Sequence, residues 1–266
     1  MKFRINFPVE LQPFQPIFES TRKKFIKIIN RPNQEVAPWQ SKFAGMPFLP
    51  KGIDYPKDSK GRYLYLLAQI NFEEVPQLDY LPHKGLLQFY IADDGLYGLD
   101  LDNSSEQQGF RVLFFPEIDK NDFQRDLPEL PEPENSPFDN PFQAHRLEFS
   151  IEEEYASCSD LNLQYALGDR LQEFEDIIYQ DDYRLADWLA DNLSNWGNKL
   201  GGYAAFVQED PRFEESIFKR FDTLLLQIGS TNGIMWGDMG IANFFINGEK
   251  LKKADFSDIM YNWDCG

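Results

Sequence analysis

Histidine is nearly missing from this chain of 266 residues: only His83 and His145 occur, and neither has a second histidine three or four positions away. A histidine zinc pair on one helix is therefore excluded. Cysteine is equally scarce. Cys158 and Cys265 lie far apart without metal-ligand spacing, so reduced thiols are expected rather than a disulfide framework. Basic residues are also in short supply, 26 against 44 acidic ones, leaving a net charge of −18. Nucleic-acid binding depends on Lys and Arg neutralising phosphates, and a DNA or RNA partner is not expected. No stretch approaches the roughly 18 apolar residues of a membrane span, and MKFRINFPVELQPF lacks a signal-type apolar run. A cytoplasmic location without membrane contact is the expectation.

The motifs of common chemistries are absent as well. There is no GxSxG elbow, GxxxxGK[ST] phosphate loop, GxGxxG fingerprint, HExxH pair or complete EF-hand loop. Catalytic residues, metal ligands and cofactors are accordingly not nominated. Carboxylates are so abundant that choosing an acid and base pair by sequence has no meaning.

What the chain does contain is apolar and aromatic: 42% hydrophobic and 24 phenylalanines, enough for one large or two modest cores. Its layout is organised around an echo. The stretch Asp222 to Asn247 repeats features of Tyr63 to Ile91: LLLQI matches LLAQI, and GIANFFI matches GLLQFYI. Upstream, KLGGYA at Lys199 to Ala204 matches KFAGMP at Lys42 to Pro47. These matches predict an α+β fold, an internal duplication of a β-rich unit with mainly antiparallel sheets and flanking helices. The expected organisation is an N-terminal repeat at 1–118, an acidic Pro-rich connection at 119–154 and a C-terminal repeat at 155–266, packed as one body. The connection holds Pro128, Pro131, Pro133, Pro137 and Pro141, which disfavour helix.

Within this frame, Ile17 to Asn30 reads as a helix, with Ile17, Thr21, Phe25, Ile28 and Ile29 at near-helical spacing and a basic opposite face. YLYLLAQINF, GLLQFYI, YGLDL and FRVLFFPEI read as strands, with a hairpin turn at Asp93 to Gly95. Asp160 is placed to cap a helix running to about Tyr179 with Gly168 weakening its middle, and a second helix is expected over Tyr183 to Trp196. Asp210 before Pro211 suggests a helix start, and FSDIMY a late strand that corresponds to FRVLFF.

The echo places an amide in each of four apolar runs: Gln69, Gln88, Gln227 and Asn243. Buried, each must find partners, since an unpaired group costs roughly 1–3 kcal/mol. They form either an internal network or the lining of a pocket for a peptide or small polar ligand. Trp236 and Asp238, in GIMWGDMG, make either a structural turn or a ligand-facing pair.

Taken together, KFAGMPFLP, YLLAQINF, GLLQFYI, KLGGY, FVQEDPR, WGDMGIANFFI and DFSDIMYNWDC resemble the bacterial YwqG-like family, a domain of unknown function. The resemblance covers roughly residues 30–266, and Ala204 stands where the first copy has Pro47. It implies a duplicated α+β protein and brings no reaction, cofactor or catalytic residue to transfer. Some members are associated with toxin and immunity gene neighbourhoods, which implies an acidic binding or neutralising protein.

The leading expectation is thus a non-enzymatic binding protein, immunity-like, whose partner is a cationic protein or peptide. Two alternatives stand beside it: a carboxylate-based, metal-assisted hydrolase or lyase with Asp238 as the residue to test, and a structural or self-associating protein.

Overall fold

Alternation decides the fate of the first charged stretch. In the computed structural model, which describes residues 5–32, 34–180, 183–212 and 216–266, helix α1 covers only Gln15–Ser20. Strand β1 follows at Lys23–Arg31. Ile26, Ile28 and Asn30 face the interior, while Lys27 and Arg31 stay outside. The helical reading of Ile17 to Asn30 fails because its spacing ignored Ile26; Ile26, Ile28 and Asn30 alternate with a period of two.

Strands β2 (Lys42–Phe43), β3 (Tyr65–Asn71), β4 (Leu86–Ile91), β5 (Phe110–Phe115) and β6 (His145–Glu154) come next. Then follow β7 (Asn198–Gly201), β8 (Thr223–Gly229), β9 (Ile241–Ile246) and β10 (Ile259–Asp264). All ten belong to one sheet in the order β10-β9-β8-β7-β1-β6-β2-β3-β4-β5. Every pairing is antiparallel.

This sheet overturns the expected α+β class with internal duplication. The fold is β-rich: one ten-stranded antiparallel sheet dominates, and the helices are short. Its two central strands, β1 and β6, belong to neither echoed stretch, so the body is not assembled from two self-standing copies with flanking helices. The strand β6 also lies inside the Pro-rich 119–154 segment and pairs with β1 over its whole length, from Lys23 opposite Glu154 to Arg31 opposite Arg146.

The sheet curls until its ends meet. Phe89 on β4 packs on Phe244 of β9 with ring centroids 4.8 Å apart, and Phe110 on β5 lies 5.3 Å from Tyr261 on β10. Both ends contribute to one core with Ile26, Ile28 and Leu147 of the central strands. Each such buried side chain contributes roughly 1.5–3 kcal/mol. Backbone and side-chain bonds close the seam: Tyr261 N donates to Ser104 O at 2.8 Å and Trp263 Nε1 to Leu96 O at 2.7 Å.

YGLDL is not a strand. The chain makes a long excursion from Ala92 to Gly109, pinned where Ala92 N donates to Gly109 O at 2.8 Å. Gly98 has φ +80°, and a Cβ there would lie 2.0 Å from Gly109 O, so only glycine fits the crossing.

The helices α2 (Leu161–Leu167), α3 (Leu171–Ile178) and α4 (Arg184–Asn192) join α1 in a second apolar cluster around Phe14, Phe18 and Phe174. Asp160 caps α2, its Oδ1 accepting from Asn162 N at 2.8 Å, and Gly168 at φ +51° separates α2 from α3. A short helix α5 (Gly248–Lys252) precedes β10. Beyond Asp210 and Pro211 the expected helix start leads into residues 213–215, outside the described residues.

Candidate functional site

The four echoed amides are fully buried and bonded in two clusters, one at each side of the sheet. Gln69 Oε1 accepts from Phe48 N at 2.9 Å and from Gln88 Nε2 at 2.8 Å, while its Nε2 donates to Pro38 O and Gln40 O at 2.8 and 2.7 Å. Gln88 Nε2 also donates to Phe48 O at 2.6 Å, and Tyr90 OH donates to Gln88 Oε1 at 2.8 Å. Across the sheet, Gln227 Oε1 accepts from Ala205 N, and Nε2 donates to Asn195 O and Gly197 O, all at 2.8 Å. Asn243 Nδ2 donates to Ala205 O at 2.9 Å. These amides clamp the segment before β2 and the segments flanking β7 onto the sheet.

Trp236 and Asp238 do not share a surface. Trp236 is fully buried, 5.4 Å edge-on from the Tyr97 ring and 6.2 Å from Trp263. Asp238 is exposed, and its backbone oxygen accepts from Gly266 N at 3.2 Å. Gly237 supplies the turn at φ +50°, where a Cβ would sit 2.7 Å from Cys265 Sγ. Both cysteines are free.

A groove of about 560 Å³ lies elsewhere, against the side of β1 that neighbours β7. It exists because β7 starts late: its first residue, Asn198, pairs with Ile28, so Ile29, Asn30 and Arg31 have β6 on one side and no strand on the other among the described residues. The chain from Asn192 to Gly197 swings away after α4 and forms the opposite wall, with Gly229 to Asn232 closing one end. Asn30, Asn192, Asn198, Asn232 and Ser194 line the groove, and Trp196 stands at its edge, 48% exposed.

Charge is arranged around this groove rather than spread along it. The basic residues expected on a helix face a row of glutamates on β6: Arg22 pairs with Glu153, Lys27 Nζ lies 3.1 Å from Glu152, and Arg31 lies 2.9 Å from Glu148. Such half-exposed pairs are each worth about 0–1 kcal/mol. At the groove floor Glu154 is buried. Its Oε2 accepts from Lys199 Nζ at 2.7 Å and Asn195 Nδ2 at 3.0 Å, and its Oε1 from Tyr203 N at 2.7 Å. Burial pushes the Glu154 carboxyl above its usual range and the Lys199 ammonium below its own, with their mutual attraction opposing both shifts. Gly202, at φ +77°, gives Glu154 room, for a Cβ there would lie 2.1 Å from Oε1.

His145 sits beyond the far end of the groove, its Nδ1 3.1 Å from Asn30 Nδ2, and burial lowers its pKa below the ordinary value. Asn30 Nδ2 also donates to Asn232 O at 3.2 Å. The cluster therefore ties β1, β6 and the Gly229 to Asn232 turn together. Among the described residues no group of three or more His, Cys, Asp or Glu is placed to hold a metal ion.

None of the groove residues stood out in the sequence. The available signal is the asparagine density of DNLSNWGN, Asp191 to Asn198, which the end of the helix expected over Tyr183 to Trp196 also accounts for. Its partner wall on β1 is remote in the chain and was hidden by the helical reading.

The fold and groove thus define a β-rich protein with an amide-lined cleft on a central strand. The chain belongs to the family described as Domain of unknown function (DUF1963), which matches residues 41–265. None of the curated proteins matches it.

Proposed function

We propose that this is a non-enzymatic binding protein whose groove takes an extended, positively charged segment of a partner protein. The observation that carries the reading is the strand-free flank of β1 at Ile29–Arg31, which offers main-chain groups to an added strand. The lining suits such an occupant: asparagine and serine side chains match backbone donors and acceptors, and Trp196 supplies an aromatic platform. Glu152 and Glu153 border the groove, and the net charge of −18 favours encounter with a cationic partner. The groove's buried carboxylate, Glu154, already has three donors on its oxygens, which favours a structural role over acid–base work.

The finer assignment belongs to the same proposal. The quoted motifs support a YwqG-like bacterial protein, the acidic surface suits an immunity-type neutralising role, and the free cysteines suit the cytoplasm. Among the described residues no helix is long and apolar enough to cross a membrane.

Fluorescence anisotropy with two labelled eight-residue peptide pools, one alternating Lys or Arg with Val, the other Glu with Val, tests the reading. The basic pool should bind, more weakly as salt rises, and Trp196→Ala should weaken it about tenfold without moving Tm. Equal affinity for both pools, or indifference to Trp196→Ala, would refute it.

A further inference from the structure

A second cavity, of about 640 Å³, opens over the outer face of β5, and it is chemically unlike the rest of this acidic molecule. Arg111 and Leu113 of β5 line it together with Tyr55, Lys57, Tyr63 and Asp54. Arg111 is half-buried, yet it takes part in none of the ion pairs among the described residues; Arg125 and Arg146, which also stand outside them, are exposed, and Arg22, Arg31, Arg62, Arg170, Arg184, Arg212 and Arg220 each meet a carboxylate. Its one protein acceptor is Gln107 O, 3.3 Å from Nη2, and its Nε is buried with no partner. Leaving guanidinium donors unpaired beside low-dielectric walls is costly, and a protein with 44 acidic residues had ample means to pair them.

The second cation, Lys57, is exposed at the mouth of the cavity. Lys57 has no carboxylate within ion-pair distance among the described residues, and its ammonium lies 4.7 Å from the Tyr63 ring centre. An antiparallel bridge between Lys57 and Tyr63 fixes that segment. Tyr55 packs edge-on to Tyr63 at 5.5 Å, and its hydroxyl is buried without a partner. Asp54 is the one acidic group of the lining and pairs with neither cation.

We infer that this cavity is a binding site for a small organic carboxylate with a flat apolar body. Arg111 and Lys57 receive the carboxylate, Arg111 through the planar fork that suits it. Tyr55, Tyr63 and Leu113 cover the apolar part. Asp54, unpaired, sets the site against ligands of higher negative charge. The inference does not rest on the groove beside β1, which involves none of these residues.

Isothermal titration calorimetry with benzoate, phenylacetate, neutral benzamide and inorganic phosphate tests it. The carboxylates should bind and benzamide should not. Arg111→Gln and Lys57→Gln should each weaken carboxylate binding about tenfold, with Tm of the ligand-free protein held within a few degrees. No carboxylate binding by the wild type at 10 mM, roughly the ceiling for a weak specific site, would overturn the inference. So would binding that ignores both substitutions, benzamide binding equally well, or phosphate binding as tightly as the carboxylates.

Discussion

Lys42 and Lys199 occupy like positions in the echoed motifs, and their surroundings separate them. Lys199 has the Glu154 carboxylate at 2.7 Å, whereas Lys42, 3% exposed, reaches one acceptor, Pro38 O at 3.0 Å. Burial alone brings Lys42 down to about 8 from 10.5. Because the folded value lies below the unfolded one, stability is lost as pH falls from above 10 through about 8, and the cost is fully present at neutral pH. Lys42→Met should therefore stabilise the protein at pH 7 by on the order of 1–3 kcal/mol, and the gain should shrink towards pH 10. Calorimetric scans at the two pH values check this; a gain independent of pH would show that the charge is not what Lys42 costs. At this scale the echo picks out four amides that are buried but not their partners, since Phe48 and Ala205 act through backbone atoms that no side-chain pattern advertises.

The elements are held by these clamps as much as by strand pairing. β7 has four residues, and a single residue of it, Lys199, pairs directly with β8. Gln227 makes up the difference by binding Asn195 O, Gly197 O and Ala205 N on either side of β7. Gln227→Leu leaves two buried backbone groups, Asn195 O and Ala205 N, unpaired and should cost roughly 2 kcal/mol or more, read as a lowered denaturant midpoint. A neutral result would mean that water replaces the amide. Strands β3, β4, β8 and β9 were legible because each is a short apolar run bounded by turn formers. β1 and β6 were not: β1 alternates lysine with isoleucine in a way that also fits a helix, and β6, HRLEFSIEEE, carries only Leu147, Phe149 and Ile151 as apolar residues. Missing these two central strands concealed the single sheet and, with it, the groove.

For the whole molecule, the curl that brings Phe89 onto Phe244 joins the ends of the sheet, while the central β1 and β6 pair fixes where the surface opens. Under the function proposed above, the net charge of −18 guides a cationic partner from a distance and the groove is where its strand docks. A docked strand must shield the main chain it pairs with. Hydrogen–deuterium exchange with and without a saturating basic peptide from the pool is the most direct measurement. The account predicts added protection confined to Ile28–Arg31 and Asn192–Asn198; protection elsewhere, or none while the peptide is bound, would contradict it.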